Sequence, residues 1–242
     1  MRKLVRRLVA AVLLALLAGA GCRSVGFSEV GATQTLEETV DLQGAEVVAV
    51  TIAMGAGELS LSGGADSLMD ASFTYNIEDW APEVSYSVSD GQGDLVVRQP
   101  EAETLPEAAN VEYDWDIRLG EDVPMALDVS LGAGTSNLDL SQINLRGLRV
   151  QVGAGEAIII LTGDYERSFD VSVSGGVGEV TLLLSNDVGA RVTVRGGLGS
   201  VEAAGFNQDG SVYTNDAYET ADVSLNIIIE GGVGQINLQL VE

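Results

Sequence analysis

The sequence predicts an all-β fold, a β-solenoid of stacked strand–glycine corner–strand units of about 21 residues, with insertions. Three observations carry that reading. Glycine makes up 30 of 242 residues while proline makes up only 4, which points to repeated tight backbone corners rather than to collagen or a flexible linker. After residue 45, G-x-G triplets end at Gly57, Gly93, Gly134, Gly155, Gly178, Gly199 and Gly234. Around each triplet the apolar residues recur at fixed offsets with a period of two, the mark of a half-buried strand.

The chain begins with Arg2, Lys3, Arg6 and Arg7, followed by an uncharged run from Leu8 to Cys22. Those 15 residues fall short of the roughly 20 that span a bilayer as a helix. A basic start, a short apolar centre and small residues at the boundary mark a secretory signal over 1–22. Cys22 is the only cysteine, so no internal disulfide forms. Its place after Ala20-Gly21 resembles the bacterial lipobox, which makes Cys22 the expected lipidation site; ordinary cleavage near Ala20, or a free thiol, is the alternative. A multiply acylated N-terminus would hold the protein to a membrane firmly. Residues 23–44 read as a polar tether, and 45–242 as a single solenoid domain.

Within that domain, five positions before each final glycine stand Ile52, Val88, Val129, Val150, Val173, Val194 and Ile229. Four positions after it stand Leu61, Val97, Leu138, Ile159, Leu182, Ala203 and Leu238. The final glycines are separated by 36, 41, 21, 23, 21 and 35 residues, a bare repeat in the middle and the same repeat with insertions elsewhere. One such unit cannot bury its apolar face alone, but stacking units about 4.8 Å apart buries a continuous column. An antiparallel sandwich is the runner-up, since evenly spaced short strands also suggest one. The insertions, roughly 64–81, 100–124 and 206–221, hold eight of the 12 aromatic residues.

Charge and composition exclude several functions. Residues 1–22 carry four basic side chains and no acid, so the remaining chain holds 8 basic against 36 acidic ones, a formal charge of −28. A surface so acidic repels phosphate backbones, and no nucleic-acid partner is expected. Histidine is absent and Lys3 is the only lysine, which removes a histidine base, a histidine metal ligand and a Schiff-base lysine. The phrase Gly175-Gly-Val-Gly-Glu-Val180 invites comparison with the calcium-binding nonapeptide repeat. It holds Val180 where the ligating aspartate must stand, and its period is wrong. No metal and no cofactor are expected.

Two places stand out as candidate sites. Asp114, Trp115, Asp116 and Arg118 form the densest polar–aromatic cluster, a possible ligand site if they converge; otherwise Trp115 and Trp80 cover an end or side of the stack. In Ile158-Ile-Ile-Leu161 and Leu182-Leu-Leu184 the alternation breaks. Ile159 and Leu161 then face inward and leave Ile158, Ile160 and Leu183 outside, a candidate contact surface unless an insertion covers it. Glu58, Glu156 and Glu179 share one place, one residue after the corner, and read as a solvated acidic row. The expected register sets Asp128 beside Arg149 and Arg195 near Glu230.

The stretches Met54-Gly-Ala-Gly-Glu-Leu-Ser-Leu61, Phe73-Thr-Tyr-Asn76, Pro82-Glu-Val-Ser-Tyr86 and Leu95-Val-Val-Arg-Gln-Pro100 resemble the N-terminal part of the bacterial toast-rack domain. Trp115-Asp-Ile-Arg-Leu119 and Leu131-Gly-Ala-Gly-Thr-Ser-Asn-Leu-Asp-Leu140 resemble its continuation. That resemblance implies a stacked all-β fold in bacterial envelope proteins, related to the C-terminal domain of LiaF-like stress proteins and to solenoid adhesins, with no catalytic residues. The expectation is a non-enzymatic, lipid-anchored envelope protein on the extracytoplasmic side of a bacterial cell. It would present its solenoid for binding, adhesion or scaffolding, with an envelope protein or glycan as partner. The alternatives are a regulatory subunit of a membrane stress sensor and a carbohydrate-active solenoid enzyme.

Overall fold

The computed structural model describes residues 27–28, 30–101, 105–106 and 110–241. The signal segment and Cys22 lie outside the described residues. In chain order the strands are β1 (Phe27–Ser28), β2 (Gln34–Val40), β3 (Val47–Ser62), β4 (Met69–Tyr75), β5 (Glu83–Ser89), β6 (Gln92–Arg98), β7 (Leu105–Pro106) and β8 (Tyr113–Leu119). They continue with β9 (Met125–Asp139), β10 (Leu145–Leu161), β11 (Phe169–Ser185), β12 (Gly189–Arg195), β13 (Leu198–Ala203), β14 (Asn207–Asp209), β15 (Val212–Thr214) and β16 (Ser224–Val241). A 3-10 turn, Glu78–Trp80, lies between β4 and β5.

The long strands β3, β9, β10, β11 and β16 each run unbroken through a glycine corner, and neighbours pair in parallel without slipping at the corner. Val129 lies beside Val150, Val150 beside Val173, and Val173 beside Ile229. Beyond the corner Leu138 lies beside Ile159, Ile159 beside Leu182, and Leu182 beside Leu238. The stacked solenoid is therefore the observed architecture, and the sandwich is not. Each strand has a first limb before its corner and a second limb after it. Both limbs turn their apolar alternation inward: Val129, Val150, Val173 and Ile229 from the first, Leu138, Ile159, Leu182 and Leu238 from the second are all buried. Returning loops close the third side, with Leu140, Ile143, Tyr165 and Val188 buried there.

The reason for glycine is visible at the corner. Gly134 and Gly155 have φ of 132° and 137°, a region that L side chains rarely enter. A Cβ on Gly155 would lie 1.8 Å from the carbonyl oxygen of Gly134, and one on Gly134 would lie 1.9 Å from that of Gly57. At the corner the would-be side chain points along the stacking axis into the next unit's backbone. Neither inside nor outside is available to it.

The second triplet, the one ending at Gly93, is not a corner. Asp90 and Gly91 both have positive φ, 50° and 78°, and they join β5 to β6 as an antiparallel hairpin. Asp-Gly at a two-residue turn is a strong hairpin signal, and the alternation on either side of it copies that of a corner. This hairpin adds β6 and β5 beside the first limb of β3, while β8, β4 and β2 extend the second limb. The hairpin and the first two insertions together finish one end of the stack. Part of the expected tether belongs to the same end: Gln34–Val40 is β2, paired antiparallel with β4. Its Leu36 and Val40 pack on the core, an alternation too brief to stand out in a polar stretch.

The other end departs from chain order. The final strand β16 lies between β11 and the unit built from β12 and β13, pairing with both. Gly196 and Gly197, with φ of 71° and 87°, break the β12–β13 unit at its corner. The unbroken strand takes the inner place, where both edges must be paired, and the broken unit takes the end. There the β14–β15 hairpin covers β12.

Gly155→Ala is expected to destabilise the protein by about 3 kcal/mol or more, because the units must part to admit the methyl group. Gly175→Ala is expected to do the opposite: its Cβ would sit 3.9 Å from Val180 Cγ2 at an ordinary φ. It should gain about 0.5 to 1 kcal/mol through the unfolded chain's lost freedom. Denaturant melts of both variants check the contrast; equal losses would contradict it.

Candidate functional site

The outer face of the second limb collects the side chains that the alternation turns away from the core. One row runs Asp114, Glu58, Thr135, Glu156, Glu179 and Gln235 across adjacent strands. Glu156 and Glu179 are neighbours, as the repeat requires. Burial, then Glu58 and Glu112 nearby, raises the Asp114 carboxyl above its ordinary pKa. Further along, Asn237 donates to Glu179 and Thr181, and Gln235 donates to Asn237 at 2.8 Å. The row is a hydrogen-bonded surface as much as an acidic one.

Ile158, Ile160 and Leu183 come together on this face. Ile160 lies directly opposite Leu183, while Ile158 stands two residues before Ile160 on the same side and opposite Thr181. Ile158 is 43% exposed, and Ile160 and Leu183 are half-buried. Asn137 and Asp139 flank them on β9, Asn237 and Gln239 on β16. The result is a small apolar patch ringed by amides and a carboxylate. The aromatic insertion around Trp115 lies at the β3 end, not over this patch.

The other candidate keeps its three polar residues on one face and loses its aromatic one. β8 alternates strictly, so Trp115 points into the core while Asp114, Asp116 and Arg118 point out. Trp115 is 2% exposed and meets the Phe73 ring edge-on at 5.3 Å. Tyr113 packs edge-on against Trp80 at 5.3 Å and donates its hydroxyl to the Trp80 carbonyl at 2.7 Å. Burial pushes the Tyr113 phenol far above its ordinary pKa. Trp115 and Trp80 are core at the end of the stack. Asp116 instead faces Ser72, and Arg118 sits across from Asp70 at 3.9 Å. A period of two places successive residues on opposite faces, so Asp114, Asp116 and Arg118 share the outer face while Trp115 is withdrawn from them into the core.

The arginines follow the same outward logic. Arg149 reaches Asp128 at 3.2 Å and Arg195 reaches Glu230 at 3.8 Å, the two pairs that the register predicts. Arg98 pairs with Glu83 at 2.7 Å. These exposed pairs are worth at most about 1 kcal/mol each; their value is as markers of register.

One feature went unread in the sequence. Three positions before each final glycine the inward residues are Met54, Leu131 and Val152, then Gly175, Gly231 and Gly196 along the stack. Two positions after it stand Leu59, Ser136 and Ala157, then Val180, Ile236 and Val201. Space at the corner is filled from the first limb in β9 and β10 and from the second limb in the last units. The last units leave a hollow lined by Val180, Val194, Val201, Ile229 and Ile236. The offset three before the corner, set beside the offset two after it, carries the signal.

The model of the N-terminal domain of toast_rack matches residues 29–183. The chain belongs to the toast-rack family. Among solved structures, a "putative cell adhesion protein" from Clostridium sporogenes shares 34% identity, with a TM-score of 0.84, over 87% of this chain and 100% of its own. A "putative adhesin" from Bacteroides fragilis aligns at 11% identity and a TM-score of 0.25 over 88% of this chain and 100% of its own; so distant a match carries no argument. No curated protein matches the chain. Among the described residues, no helix is long and apolar enough to cross a membrane.

Val150→Ala is expected to cost about 1 to 3 kcal/mol, since Val150 is buried in the inward column. Ile158→Ser should change stability by less than about 0.5 kcal/mol. Urea unfolding of the two variants tests the assignment of faces, and a comparable loss from both would refute it.

Proposed function

We propose that this toast-rack protein is a non-enzymatic envelope protein, anchored outside the bacterial cell through lipid on Cys22, that presents its solenoid for adhesion or scaffolding. The observation that carries the reading is the Ile158–Ile160–Leu183 patch on an outward face, its Ile158 well exposed. Large aliphatic residues grouped on an otherwise polar sheet face are the ordinary signature of a contact surface. The stack holds the patch rigid, because β10 and β11, which carry it, are paired along both edges. The basic-then-apolar leader ending at Cys22 supports export and anchoring, and the Clostridium sporogenes protein of the same fold is named for cell adhesion.

Two variants in the host cell test it. Cys22→Ala should move the protein from the membrane fraction to the medium or the soluble envelope fraction; unchanged fractionation and normal fatty-acid labelling would refute lipidation. Paired Ile158→Ser and Leu183→Ser, with the protein still folded and anchored, should lower cell attachment to surfaces or to other cells at least severalfold. Attachment equal to wild type would remove the patch from the proposed function.

A further inference from the structure

The C-terminal end of the stack is unfinished on one limb only. There the first limb continues from β16 to β12, then to β15 and β14. The second limb stops at β13, which pairs with β16 through Leu198–Ala203 and, among the described residues, with nothing on its other edge. A free edge offers a row of unpaired N–H and C=O groups to an incoming strand. Beneath it lies the corner hollow, made by the run of glycines at Gly175, Gly231 and Gly196. Val194, Val201 and Ile236, which in a closed stack would be core, are only half-buried here. Backbone edge and apolar floor face the same missing strand.

Charge says what kind of strand fits. From Gly189 to Glu242, the stretch that builds this end, the chain carries seven acidic residues against two basic ones, Arg191 and Arg195, both on the first limb and the latter near Glu230. Glu202 lies on β13 itself, exposed on its outer side. A second copy of the chain would bring the same sign of charge to this end. We infer that the free edge of β13 is a strand-addition site for an extended segment of another protein, one alternating basic side chains outward with small apolar side chains inward. The main chain of that segment would pair with Leu198–Ala203, its valine- or alanine-sized side chains would settle over Val201 and Val194, and its lysines or arginines would lie beside Glu202. Ladder hydrogen bonds supply affinity in this mode, and alternate side chains supply specificity. The site is separate from the Ile158 patch and does not depend on it.

The test uses the full-length protein in neutral detergent and a fluorescent eight-residue peptide of alternating lysine and valine. Two comparison peptides carry glutamate for lysine, or proline at two central positions where ladder N–H groups are needed. The basic peptide should bind at least tenfold more tightly than either, with amide shifts centred on Leu198–Ala203. Glu202→Lys, an exposed change that leaves the core alone, should weaken it at least threefold. Val201→Asp should abolish it, and Ile158→Ser should leave it unchanged. Equal binding of the proline peptide, or shifts spread along the Glu58–Glu156–Glu179 row, would mean general charge attraction and overturn the proposal. Concentration-dependent self-association mapped to Leu198–Ala203 would assign the edge to a second copy and overturn it equally.

Discussion

The carbonyl oxygen of each corner glycine lies where the next unit's Cβ would be. That single close approach, 1.7 to 1.9 Å for an imagined Cβ at Gly134, Gly155, Gly178, Gly199 and Gly234, governs the rest of the molecule. It forbids any side chain at the last corner position and fixes the height of one unit on the next. Because the corner cannot slip by a residue, neither limb can slip either, and a one-residue slip would turn every buried side chain outward. The inward columns of Val and Leu and the outward rows of acid, amide and hydroxyl are both consequences of that register.

With the backbone pinned, packing is left to size. Where the first limb brings a Leu or Val to the corner, the second brings Ser136 or Ala157; where the first brings glycine, the second brings Val180 or Ile236. The corner is filled by exchange between the limbs rather than by one constant residue. A stack also has ends, and ends expose both core and strand edges. The aromatic insertions answer that need at the β3 end, where Phe73, Trp80, Tyr113 and Trp115 join one buried cluster. At the other end the hairpin of β14 and β15 covers only the first limb, with Tyr213 buried beneath it.

Such a body is suited to presenting faces. Its second-limb face is a set of straight rows, each position repeated from strand to strand at the spacing of the ladder, with Asn237 donating to Glu179 and Thr181 and Arg118 lying near Asp70. On a surface of this kind a few aliphatic residues or one unpaired edge differ sharply from their surroundings. These two features, at different places on the same limb, distinguish the toast-rack body from a uniformly polar stack.

The sequence by itself determined the strands, the corners, the parallel register and the faces. Offsets from glycine are one-dimensional facts, and a stack converts them directly into neighbours: Asp128 meets Arg149 because both stand six residues before a corner. Alternation also settled that Ile158, Ile160 and Leu183 point outward. Only the tertiary structure decided which triplet was a hairpin, since Val88 and Leu95 around Asp90-Gly91 repeat the pattern of a corner while the pairing is antiparallel. The separation of Trp115 from Asp114, Asp116 and Arg118 was there to be read in the strict alternation along β8, but only the tertiary structure showed Trp115 packed on Phe73 in the core at the end of the stack. The place of β16 was decided in three dimensions as well. Chain order says nothing about whether a late strand joins the end of a stack or enters it, and an unbroken strand gains ladders on both edges only by entering. That choice leaves β13, rather than the chain's last strand, at the open edge.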